Sequence, residues 1–136
     1  MDKFKNLIVL GPLIYAIHHL EEHTIFNFIE WKLQYFYHSA AALSTEAILA
    51  ILTCILVTFA LLHLVKNNRA SAHVILFMLF AIQVINAFYH IFFSFYFSDF
   101  SPGAITAALL YLPVNFLIAQ AAFREGYLKS YFEYGC

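Results

Sequence analysis

The chain has 136 residues, 63% of them apolar and only 11% charged, with seven Lys and Arg against eight Asp and Glu. A soluble domain of this size needs many more charged residues on its surface, so the composition excludes an ordinary water-soluble globule and implies a bilayer protein. Nucleic-acid binding is excluded as well, because the chain has no basic stripe, Gly-rich phosphate loop or nucleotide fingerprint.

Four stretches come close to the roughly 20 residues needed to cross about 30 Å of hydrocarbon at about 1.5 Å per residue. They run from Phe4 to Glu22, Glu46 to Val65, His73 to Phe97 and Ala104 to Phe123. The expected fold is all-α: a polytopic membrane protein with four transmembrane helices, an outer interfacial helix and a C-terminal interfacial segment, making one domain over residues 1–136. Lys3 and Lys5 precede the first stretch in the manner of a secretory leader. The apolar run continues into His18, His19, Glu21 and Glu22 without a small-residue cleavage pattern, so it is expected to be retained. Gly11 and Pro12 should kink this helix near its middle.

Thr24 to Tyr37 is too polar to span. Phe26, Ile29, Leu33 and Phe36 recur there at helical spacing, with Trp31 and Tyr35 available for the interface, which predicts an amphipathic helix across the outer face that can serve as a lid. Ser44 is the expected cap of the second long helix, and Ser71 of the third, after the turn at Lys66, Asn67, Asn68 and Arg69. Cys54 lies within the second helix and Cys136 is terminal, so no disulfide is expected. Ser98 to Gly103 makes an outer turn before the fourth helix, which Pro113 distorts halfway. The tail from Phe123 to Cys136 mixes charges with Tyr127, Tyr131 and Tyr134 and should rest at the inner surface.

If all four helices span, Lys3, Lys5, Lys66, Arg69, Arg124 and Lys129 share one side and the acidic residues collect on the other. The basic side is then cytoplasmic, both termini are cytoplasmic, and the protein is a multi-pass component of the cell inner membrane.

Very few residues in the apolar stretches are ionisable, and those few are the candidates for function. His18 lies four residues before Glu22 and three before Glu21, so one helical face presents an imidazole and a carboxylate to the same point. His19 and His23 form a second pair of the same spacing, turned by about 100°. Gln83, Asn86 and His90 make a polar stripe on the third long helix that should face the interior. His90 and His18 sit at comparable depths, roughly 10 Å and 7 Å from the outer helix ends, so the two rings can meet. Asn115 is placed to line the floor of the same hollow. His38, delivered by the outer helix, is a further candidate ligand, whereas His63 and His73 fall near the opposite face and are expected to be interfacial or hydrogen-bonded.

Histidine nitrogen with carboxylate oxygen suits a divalent metal, zinc first, with iron or manganese as alternatives. His18, one of Glu21 or Glu22, and His90 supply the three protein ligands that a catalytic ion needs. The other glutamate is then a candidate general base or ligand-orienting group, and Asn86 a candidate for orienting water or substrate.

These residues resemble the motifs of a known family. His18, His19, Leu20, Glu21 and Glu22 reproduce the signature of the HxxEE family of small predicted prokaryotic membrane proteins. Asn86, Ala87 and His90 are similar to its second motif, and Ser101, Pro102 and Gly103 to its third, with Phe100 where the family often has tyrosine. The resemblance implies a membrane protein whose polar core is His18, Glu21, Glu22, Asn86 and His90, and it implies no particular substrate.

The first expectation is therefore a membrane metalloenzyme, with a hydrolase acting on a lipid-like or amphipathic substrate favoured because a carboxylate is left spare. A non-enzymatic protein that binds or conducts an ion or proton, and a structural subunit of a membrane complex whose polar residues act as interhelical glue, stand beside it. Membrane lipid is the expected partner, and the sequence does not fix an oligomeric state.

Overall fold

A computed structural model describes residues 3–36 and 44–128. Its helices, in chain order, are α1 (Lys3–Ile8), α2 (Leu10–Leu20), α3 (Phe28–Tyr35), α4 (Thr45–Lys66), α5 (Arg69–Tyr96) and α6 (Ala104–Arg124). Wider π turns follow α2 at Glu21–Ile25 and interrupt α5 at Phe80–Val84 and α6 at Ala107–Tyr111.

Among the described residues three helices, not four, are long and apolar enough to cross a membrane: α4, α5 and α6, of 22, 28 and 21 residues. The expected first span is divided at Val9, leaving 6 residues in α1 and 11 in α2. Pro12 explains the position of the break, since its ring has no N–H to offer Ile8, four residues back, and collides with that carbonyl. Eleven residues of α-helix reach only about 16 Å, well short of the hydrocarbon thickness.

The long helices meet through short turns whose residues suit them. Asn67 takes the left-handed conformation after α4 (φ 47°), and Asn68 caps α5 in a reciprocal box with Ser71, so the cap falls three residues earlier than the Ser71 expected from sequence. Ser44 does cap α4, accepting from Ala47 N–H at 3.2 Å. In α6 the widened turn at Ala107–Tyr111 brackets the carbonyl that Pro113 leaves without its usual donor, so the distortion expected there is a π turn.

The core joins Phe4, Ile8, Leu56, Ile75, Leu79, Tyr111 and Ile118, all buried. Ala72, Ala87, Ala107 and Ala122 lie among them, and small residues of this kind let helix backbones approach where the surrounding lipid gives little hydrophobic drive. Outward, Phe77, Phe88, Phe92, Phe95, Leu109 and Phe116 are exposed on α5 and α6, as an acyl environment requires. At mid-depth Gln83 donates to the Gly11 carbonyl and accepts from Asn115, both at 2.8 Å, tying α2, α5 and α6. Asn115 is thereby engaged in this tie and does not line the outer hollow.

Helix α3 folds over the end of the bundle formed by the Glu21–Ile25 turn and the end of α5. Trp31 is buried rather than placed at the interface, packed between Phe28, Tyr35, Phe36 and Phe97. The Tyr35 hydroxyl donates to Asp99 at 2.6 Å, pinning α3 to the end of α5. His38, and the part of the tail from 129 onward, lie outside the described residues.

Candidate metal centre

Two neighbouring elements and one distant one build the site. His18 occupies the last turn of α2 and Glu22 the π turn that follows, one above the other at the four-residue spacing. His90 comes from α5, which runs beside them. The two imidazoles meet with ring centroids 5.0 Å apart. Their Nε2 atoms converge on one oxygen, Glu22 Oε1, at 2.8 Å from His18 and 2.7 Å from His90. His18, Glu22 and His90 are all buried, and each offers one ligand atom to a common point.

The far nitrogens are held as those of metal-bound histidines usually are. His18 Nδ1 lies 2.7 Å from Thr106 Oγ1, and His90 Nδ1 lies 2.9 Å from Ser101 Oγ. Thr106 has a single hydroxyl hydrogen, and its strongest acceptor is the Glu21 carboxylate at 2.7 Å. His18 Nδ1 must then donate to Thr106, which in a neutral ring leaves the Nε2 lone pair facing the Glu22 oxygen. Two lone pairs at that distance repel unless a proton or a cation lies between them. His90 Nε2 is buried 2.7 Å from Glu22 Oε1 and makes no other contact that would satisfy it. A buried, unpaired nitrogen pointing at a carboxylate fits a divalent cation's donor set.

Glu21 has a different task. Its Oε2 accepts from Gly103 N–H (3.0 Å) and Ile105 N–H (3.3 Å), and its Oε1 from Thr106 N–H (2.7 Å) as well as from the Thr106 hydroxyl. A carboxylate from the first segment thus satisfies the free N–H groups that begin α6. Through Thr106 the same group orients His18.

The turn before α6 closes the site. Ser101 holds His90, and Gly103 lies directly on the cluster: a Cβ there would stand 2.8 Å from His18 Cε1 and 2.9 Å from both His90 Cε1 and Glu22 Cγ. Its φ of 101° independently demands glycine.

On its other side the cluster opens into a cavity of about 650 Å³. Tyr15, His18, His19, Glu22, His23 and Asn86 form its polar wall, Ile29, Leu33, Ile48, Leu52 and Ile82 its apolar wall, and Lys32 and Glu46 also line it. Asn86 Oδ1 is buried there without a partner. A second group, His19, Glu22 and His23, also brings three ligand atoms together, with His23 Nε2 3.2 Å from Glu22 Oε2. Burial alone would raise the Glu22 carboxyl, but the imidazoles of His18, His23 and His90 around it hold it well below the usual carboxylate range. His19 is lowered, first by burial and then by His23.

Of the residues nominated from sequence, His18, Glu22 and His90 converge, Asn86 faces the adjoining cavity, and Glu21 stands behind the cluster with both oxygens engaged. His63 and His73 are hydrogen-bonded at the other end, to Ser71 Oγ (2.8 Å) and the Tyr127 carbonyl (2.6 Å). Thr106 was missed. Its only signal is a hydroxyl three residues after Gly103, which has meaning only once Glu21 is seen to reach it.

A family model described as a protein of unknown function with HXXEE motif matches residues 9–118. No curated protein and no solved structure matches the chain.

Proposed function

The chain belongs to the HXXEE family and is a membrane-associated protein with a His/Glu cluster able to chelate a metal ion; from that premise we propose that it is a metal-dependent membrane hydrolase acting on a lipid-like, amphipathic substrate. The observation that carries this reading is the convergence of two imidazole Nε2 atoms on one buried carboxylate oxygen beside a cavity of mixed polarity. His18, Glu22 and His90 would hold the ion, three protein ligands being the number usual for a catalytic divalent metal. A divalent ion bound there, zinc favoured over iron or manganese, would supply Lewis acidity and lower the pKa of water near the cavity.

The protein's own groups arrange the rest. Ser101 and Thr106 fix the two rings, and Glu21 holds the α6 turn against them. Asn86 offers its unpaired carbonyl oxygen to water or to a substrate hydroxyl in the cavity. The apolar wall accepts an acyl chain, while Lys32 and Glu46 meet the polar head, and the cavity volume suits one such chain. Lys3 and Arg124 line one groove where α1 packs against the end of α6, and Lys66 and Arg69 flank the α4–α5 turn whose Asn67 is hydrogen-bonded to Tyr127 just past α6; the positive-inside rule assigns that end to the cytoplasm. The centre then opens toward the outer face of the inner membrane.

The test is to incubate zinc-loaded protein in lipid nanodiscs with extracts of its native membrane and follow lipid species by mass spectrometry. The expected result is loss of one ester-containing class, prevented by chelation and by His90→Ala. An unchanged lipid profile with stoichiometric zinc bound would overturn the hydrolase reading and leave the chelating site.

A further inference from the structure

The buried trio uses only one oxygen of Glu22. The other, Oε2, faces the cavity, where His23 Nε2 approaches it to 3.2 Å and His19 completes a second convergent group. The His19 and His23 rings lie 4.5 Å apart, on the face adjacent to the one that carries His18. The π turn beginning at Glu21 makes this possible. Because Glu22 and His23 sit in a widened turn, one carboxylate can reach back to His18 through Oε1 while its other oxygen meets the residue next to it.

We propose that the protein holds two divalent cations, bridged by Glu22: one between His18 and His90 on Oε1, the other between His19 and His23 on Oε2. This rests on the preceding reading for the first cation and goes beyond it for the second. The two positions differ in access. The first is closed by Gly103 and lined by buried groups, whereas His19 and His23 are partly exposed on the cavity wall. Two cations that share a carboxylate would lie close enough to act on the attacking and leaving oxygens of one displacement. The second ion also answers a need the first leaves open, since Glu21, the glutamate that stays outside the trio, already accepts four hydrogen bonds. Glu21, Glu22 and Glu46 at or beside the cavity offset part of the added positive charge.

The experiment is a titration of the metal-free full-length protein with zinc, read by equilibrium dialysis and elemental analysis, with manganese-loaded samples examined by electron paramagnetic resonance. Wild type should saturate at two zinc ions per chain, and the His19→Gln/His23→Gln double variant at one. Manganese-loaded wild type should give the exchange-coupled spectrum of a pair, with halved hyperfine spacing, and the double variant an isolated-ion spectrum. The wild-type spectrum needs no variant to fold. Saturation at one zinc in both proteins, with an uncoupled manganese signal, would overturn the second site while leaving the first intact. No zinc bound to wild type would overturn both.

Discussion

The molecule contains two buried histidines in nearly the same dress. His63 and His90 are both fully buried, each places Nδ1 on a serine hydroxyl, Ser71 at 2.8 Å and Ser101 at 2.9 Å, and each leaves Nε2 without a hydrogen-bond partner. Their surroundings differ. Around His63 stand the rings of Phe4 and Tyr127, with centroids 4.9 Å and 5.1 Å away. Around His90 stand His18 and the Glu22 carboxylate. Burial and an idle nitrogen are therefore common to a packing histidine and a candidate ligand, and what separates them is a second nitrogen and an anion aimed at the same point.

The largest test of that contrast exchanges each histidine for alanine. His90→Ala should reduce zinc affinity well beyond the roughly 10–100-fold that loss of a supporting hydrogen bond causes. His63→Ala should bind zinc as wild type does and lose on the order of 2 kcal/mol of stability through the cavity it leaves. Calorimetric zinc titration and denaturant unfolding read the two effects separately.

A second contrast uses glycines of positive φ at opposite ends, Gly103 (101°) and Gly126 (85°). Gly103→Ala meets both imidazoles as well as backbone strain, so it should cost about 1–3 kcal/mol and weaken zinc binding. Gly126→Ala should cost about 1 kcal/mol through the backbone alone, with zinc affinity unchanged.

The serine partners give a smaller difference. Ser101→Ala removes the group that orients His90 and should lower zinc affinity about 10–100-fold. Ser71→Ala should leave zinc binding alone and cost about 1 kcal/mol of stability.

Much of this site is legible in the chain itself. The spacing of His18 from Glu21 and Glu22, and the matching depth of His90, bring two imidazoles and one carboxylate together from the sequence alone. Glu21 and Glu22 cannot be told apart in the same way. Both follow His18 at helical spacing, and their division of labour depends on N–H groups of α6 more than 80 residues away. Likewise, hydropathy counts nineteen residues from Phe4 to Glu22 as a possible span but does not register where Pro12 cuts the helix at Val9. The third motif's Gly103 announces a turn in the sequence, while its contact with three site residues is a matter of packing.

The smallest effect concerns acid. Glu22 has its pKa depressed in the folded chain, so the stability it contributes is present above the unfolded value, about 4.3, and is lost as pH falls through the folded value. Metal-free wild type should therefore lose stability on acidification below about pH 4 more steeply than Glu22→Gln. Equal acid slopes in the two proteins would show that the imidazoles do not hold the carboxylate ionised.

The most direct measurement is anomalous diffraction at the zinc edge from crystals of the zinc-loaded protein. The account predicts a peak between His18 Nε2, His90 Nε2 and Glu22 Oε1, at about 2.0–2.2 Å from each. Zinc found elsewhere, with the two rings turned apart or linked to Glu22 by protons alone, would contradict it.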